Sequence, residues 1–105
     1  MGKDLGHIFE NVIFLELKRR GYKIYVGKDA DSEVDFVCED EDDVIYVQAA
    51  LSVRDEDTLK RELKPLESIQ DHYKKYIITL DYDTNNYNGI KQISAMDFLL
   101  GRVEL

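Results

Sequence analysis

The sequence predicts an α/β domain of the α+β kind, a mixed central sheet flanked by helices, and three observations carry that prediction. Hydrophobic periodicity gives the order helix, three strands, helix, two strands, helix, and a meander followed by a helix and further strands suits a mixed sheet. Val44 to Val47 is continuously apolar, as expected of a central strand covered on both faces. The 105 residues, 44% hydrophobic and 34% charged, suffice for a single domain (residues 1–105) with a single core.

Each element has its own signal. From Leu5 to Arg20 the apolar residues Leu5, Ile8, Phe9, Val12, Ile13 and Leu17 recur at helical spacing, and Gly21 follows Arg19 and Arg20, cations that suit a helix C-terminus. Tyr22 to Val26 alternates and reads as a strand; residues 27–32 form a polar turn. Glu33 to Cys38 alternates again, which places Val34, Phe36 and Cys38 on one face and Glu33, Asp35 and Val37 on the other. Five consecutive acids, Glu39 to Asp43, read as a solvated hairpin tip because such runs repel and stay hydrated. A second helix is expected from Asp55, its N-cap, to His72. Its buried stripe is Leu59, Leu63, Leu66, Ile69 and Tyr73, and a kink or break is expected at Pro65. Tyr76 to Leu80 is a strand, Asp81 to Gly89 a turn-rich loop, and Ile90 to Ile93 a short final strand. Ser94 caps a last helix that runs through Leu100 to Gly101.

Composition narrows the function classes. No apolar run approaches the roughly 20 residues of a membrane span, and Met1-Gly2-Lys3-Asp4 lacks a secretory signal. A lone cysteine, Cys38, fits a reducing cytoplasm. The net charge of −8 argues against broad attraction to nucleic acid, so binding by the isolated domain should be weak. Lys18, Arg19 and Arg20 with Lys60, Arg61 and Lys64 are the residues available for a local basic face, or simply solvated helix surface.

The residues with site chemistry are Glu10, Asp35 and Gln48. Glu10 lies between Gly6, Ile13, Phe14 and Leu17 on the helical wheel, where a carboxylate needs a partner or a metal. Glu16 can pair with Arg19 or Arg20 one turn on and reads as structural. Glu33 and Asp35 project from one strand face, as do Gln48 and Ala50 from the next. If those faces coincide, oxygens of Glu10, Asp35 and Gln48 converge on a site for magnesium or manganese. The alternative is a half-exposed strand with ordinary polar alternation. Asp81-x-Asp83-x-Asn85 resembles the start of a calcium loop, but Asn86 and Gln92 stand at its glycine and glutamate positions. His7 and His72 lack partners at zinc spacing, and no phosphate-binding glycine loop is present.

Several stretches together resemble a known family. They are Gly6-x-x-x-Glu10-Asn11, Leu15 to Tyr22, Glu33 to Val37, Tyr46 to Ala50, Arg61 to Leu66, Lys75 to Asp81 and Tyr87 to Ile90. Nearly the whole chain is similar to the C-terminal domain of prokaryotic AAA-type ATPases, a restriction-endonuclease-like domain of the PD-(D/E)xK superfamily with an αβββαβ core. The resemblance implies a C-terminal fragment of a longer ATPase, with the ATPase domain as partner. It assigns Glu10 as the helix carboxylate, Asp35 as the metal-ligating aspartate and Gln48 as the Glu/Gln position. Ala50 stands where the catalytic lysine belongs, unless that lysine has migrated to the next helix as Lys60 or Lys64.

Three functions follow as expectations. The first is a degenerate pseudo-nuclease that serves the ATPase as an interaction or regulatory module. The second is an active metal-dependent endonuclease with a migrated lysine, and the third a purely structural homo-oligomerisation domain. The missing lysine and the acidic charge favour the first.

Overall fold

A computed structural model describes residues 2–27 and 34–105; the turn expected at 27–32 and Glu33 therefore fall largely outside the described residues. The chain begins with α1 (Gly2–Arg19), whose Phe9, Ile13 and Leu17 are buried. It continues through β1 (Lys23–Val26), β2 (Phe36–Asp40) and β3 (Asp43–Ala49), then α2 (Glu56–Glu67) and β4 (Lys74–Thr79). The short β5 (Asn86–Tyr87), β6 (Ile90–Ser94) and α3 (Ala95–Leu99) complete the order.

The six strands form one mixed sheet in the order β1-β2-β3-β4-β6-β5. β1, β2 and β3 are an antiparallel meander, β3/β4 and β4/β6 are parallel, and β5 returns antiparallel to β6. Helix α2 makes the crossover that parallel pairing of β3 and β4 requires. β3 lies third of six, so its apolar run is central, as expected. One sheet face, built from Phe36, Cys38, Ile45, Val47, Tyr76, Ile78 and Ile93, packs under α1 and α3. The other carries Ile77 and Ile90 and is covered by Leu63 and Leu66 of α2.

Four expectations are corrected. Val34 does not share a face with Phe36 and Cys38: it packs in the α2 cluster, while they pack under α1. The chain bends at Asp35, so among the described residues the two-residue alternation starts at Phe36 and leaves out Val34. Helix α2 runs through Pro65 and ends at Glu67, well short of His72. The donor missing at Pro65 does not end the helix, and Ser68 closes the last turn by donating from its N–H to Lys64 O. Ile69 packs in the α2 cluster from the exit loop, and Tyr73 lies beyond the helix. The loop before β6 also contains β5. Its hairpin turn is Asn88-Gly89, with φ of 53° and 93°, the pair of left-handed residues that a two-residue turn demands.

The caps behave as the sequence predicts. Asp55 accepts from Thr58 N at 3.0 Å to start α2, and Ser94 accepts from Asp97 N to start α3. Of the acidic run, Glu41 and Asp42 form the two-residue tip between β2 and β3, while Glu39, Asp40 and Asp43 lie in the strands. These acids project into solvent, apart from the half-buried Glu39.

Candidate functional site

The bend at Asp35 is fixed by the next strand. Asp35 N–H donates to Gln48 Oε1 at 2.6 Å, and Ala49 N–H donates to Asp35 Oδ2 at 2.9 Å. Gln48, itself buried, turns its amide nitrogen toward α2, donating to Glu62 O at 3.1 Å and to Glu62 Oε1 at 3.3 Å. Asp35, Gln48 and Glu62 thus form one hydrogen-bonded unit where β2 begins and β3 ends. Glu10 approaches from α1, close enough for its charge to act on both Asp35 and Glu62.

The structure therefore joins Asp35 and Gln48 by hydrogen bonds, brings the charge of Glu10 within reach of Asp35, and adds Glu62, which the sequence reading missed. The signal was available. Glu62 lies three residues after Leu59 and four before Leu66, an acid on the apolar stripe of its helix, as Glu10 is on its own.

Two of these acids, Asp35 and Glu62, are partly buried, and their protonation reflects it. Burial pushes the Asp35 carboxyl up to about 6; the Ala49 N–H holds it down in part, and Glu10 adds to the rise. Burial also lifts Glu62 to about 7, reinforced by Asp35 and then Glu10, and opposed by Arg61. At neutral pH the cluster carries protons that free carboxylates would have released.

Among the described residues no three His, Cys, Asp or Glu side chains stand close enough to hold a metal ion. Gln48 spends its carbonyl oxygen on Asp35 N–H, and Asp35 spends one oxygen on Ala49 N–H. Ala50 packs with Tyr46 and Leu59 against the apolar α2 cluster. Lys60 and Lys64 each lie two residues from Glu62, a rotation of about 200° that turns them away from the acids. Both are exposed, and Lys60 pairs with Glu56 at 3.8 Å. On the α1 side His7, Glu10, Asn11, Phe14, Val26 and Phe36 line an open cleft of about 390 Å³.

The other buried acids have structural partners. Glu16 accepts from Arg19 Nη2 at 2.6 Å and from Arg20 Nε at 2.9 Å, and these bonds hold its carboxyl down at about 2 despite its burial. Arg20 also donates to Phe98 O and Val103 O and lies over the Phe98 ring, pinning α3 and the C-terminal segment to α1. Asp81 accepts from Ser52 Oγ at 2.7 Å and Val53 N at 2.9 Å. Its burial works to raise the carboxyl, but these bonds and Arg54 hold it below the ordinary range. Asp81 thus ties the β3 exit loop to the end of β4, and the calcium-loop resemblance has a structural explanation. Cys38 is fully buried, and burial pushes its thiol up to about 12. The basic residues divide: α1 and α2 cover opposite sheet faces, so their cations do not make one surface. No helix among the described residues is long and apolar enough to cross a membrane.

The chain is similar to an uncharacterised protein of Haemophilus influenzae, with 39% identity over 94% of this chain and 24% of the relative. It is also similar to an uncharacterised protein of the archaeon Methanocaldococcus jannaschii, with 33% identity over 90% of this chain and 22% of the relative. The chain thus spans about a quarter of the length of these relatives. No solved structure matches it at a significant level. A family profile matches residues 5–98, from the first helix to the last, and the chain belongs to that family, DUF4143, a domain of unknown function.

Proposed function

We propose that this chain is a catalytically silent, restriction-endonuclease-like module that serves an AAA-type ATPase as an interaction or regulatory domain. The observation that carries the reading is at residue 50. Where a nuclease of this kind needs a lysine, Ala50 packs against apolar side chains, and Lys60 and Lys64 face away from the acids. Phosphodiester hydrolysis needs positive charge to offset the developing transition state. This cluster instead gathers acids, two of which, Asp35 and Glu62, hold their protons to higher pH than free carboxylates do. The helix, antiparallel meander, crossover helix and parallel strand are consistent with the αβββαβ core. Relatives about four times as long support a module within a larger polypeptide.

The test has two arms. Supercoiled plasmid and single-stranded DNA incubated with the chain and millimolar magnesium or manganese should show no cleavage above background. Nicking that disappears in Asp35→Ala would overturn the silent reading, and its loss in Lys60→Ala or Lys64→Ala would identify a migrated lysine. In the second arm, the region matching this chain is deleted from the full-length Haemophilus relative. ATP hydrolysis or assembly of the remainder should change; a remainder that hydrolyses ATP and assembles as before would remove the regulatory role.

A further inference from the structure

Helix α1 has two apolar faces, and among the described residues the fold buries one of them. Phe9, Ile13 and Leu17 are buried against the sheet. Leu5, Ile8, Val12 and Leu15 are 57%, 59%, 37% and 56% exposed. Single exposed leucines are ordinary, but four large apolar residues in line along one helix are a continuous stripe. Their spacing is three, four, three, the alternation of a coiled-coil seam with Leu5 and Val12 as one set and Ile8 and Leu15 as the other.

The flanks of the stripe differ. On the side toward the core lie Phe9 and Glu16, already buried in the fold. On the other side stand Asp4, Asn11 and Lys18, seven residues apart and all exposed. That flank is its own complement when reversed: negative at one end, amide in the middle, positive at the other.

We propose that α1 is an interface between two copies of this chain, packed antiparallel about a two-fold axis that passes between Ile8 and Val12. Reversal sets Leu5 against Leu15 and Ile8 against Val12 of the second copy, so each seam residue meets one from the opposite set. It brings Asp4 of each copy beside Lys18 of the other and places the two Asn11 amides together. A closed two-fold contact of this kind uses the same patch twice and leaves no open end. Parallel packing would turn the charged flank toward Phe9 and Glu16, where it finds no partner. The seam covers about ten residues, or about 15 Å of helix, which is shorter than a standard stable interface requires. The dimer is therefore dissociable. This inference is independent of the nuclease-like reading.

Sedimentation equilibrium of the chain between about 1 µM and about 500 µM, a range that brackets weak association, should show the mass rising from one chain toward two. Ile8→Glu alters an exposed side chain, so circular dichroism should stay unchanged. The dimer dissociation constant should rise at least about tenfold, because symmetry removes two contacts at once. Asp4→Lys should weaken the dimer at low salt, and adding Lys18→Asp should restore it. Mixed Leu5→Cys and Leu15→Cys chains should cross-link on mild oxidation, while Leu5→Cys alone should not; Cys38 is buried and silent. A native chain that stays monomeric throughout overturns the proposal and leaves the stripe to another occupant, such as the remainder of a longer polypeptide. Efficient cross-linking of Leu5→Cys to itself overturns the antiparallel arrangement.

Discussion

Replacing Glu62 by glutamine removes a charge from the acid cluster while keeping the side chain's shape. The effect can be worked from the structure. Glu62 is raised from 4.5 to about 7, so the folded chain holds this proton to higher pH than the unfolded chain does. Its contribution is therefore fully present below about pH 4.5 and is lost as pH rises through about 7. Asp35 acts in the same direction, between 3.8 and about 6. Glu16 acts in the opposite sense, since its stabilisation is present above 4.5 and lost as pH falls toward about 2. The span of about 2.5 pH units at Glu62 corresponds to a ceiling of about 3 kcal/mol. Glu62 is only partly buried, and screening by water reduces this to about 1–2 kcal/mol. The variant keeps the backbone carbonyl and an amide oxygen for Gln48 Nε2. Glu62→Gln should thus stabilise the chain by about 1–2 kcal/mol at pH 8, seen as a urea midpoint higher by about 1 M, and should flatten the decline between pH 5 and pH 7. Glu67→Gln, on the exposed side of α2, makes the same change in net charge and should do neither. A Glu62→Gln chain that is less stable at pH 8, or that keeps the full pH slope, would mean that the Glu62 carboxyl is not held protonated by the fold.

Asp81→Ala should destabilise by about 2–4 kcal/mol in urea titration, because it strands the buried Val53 N–H and the Ser52 hydroxyl; a loss within about 0.5 kcal/mol would mean that water replaces the carboxylate. Ala50→Lys, which restores the expected nuclease residue, should lower stability by about 2 kcal/mol or more through an amine pressed into the apolar cluster, and should confer no plasmid nicking. Magnesium or manganese at millimolar concentration should leave the thermal midpoint unchanged, since among the described residues no three His, Cys, Asp or Glu side chains gather as a cation site. A rise that vanishes in Asp35→Ala would count against that. Arg20→Lys should cost about 1–3 kcal/mol and speed amide exchange in α3 and the residues after it, because lysine cannot bridge Phe98 O and Val103 O while also holding Glu16.

Local chemistry by itself determined much of this protein. The periodicity of Phe9, Ile13 and Leu17, the apolar run of β3 and the caps at Asp55 and Ser94 are short-range signals, and each names an element without knowledge of its neighbours. The same holds for the Glu16 pairing, which needs only one helical turn. The tertiary structure decided the rest, because faces and partners are set by residues far apart in sequence. The bend at Asp35 depends on Gln48 and Ala49 across the strand pair, so alternation alone carried Val34 to the wrong face. Glu62 belongs to the cluster only because α2 crosses over the end of β3. Burial, helped by neighbouring charge, then lifts the Asp35 and Glu62 carboxyls toward the neutral range, an effect of packing that no local reading contains. Only the packed fold separates the two apolar faces of α1, since both have helical spacing and the sheet is broad enough to cover one.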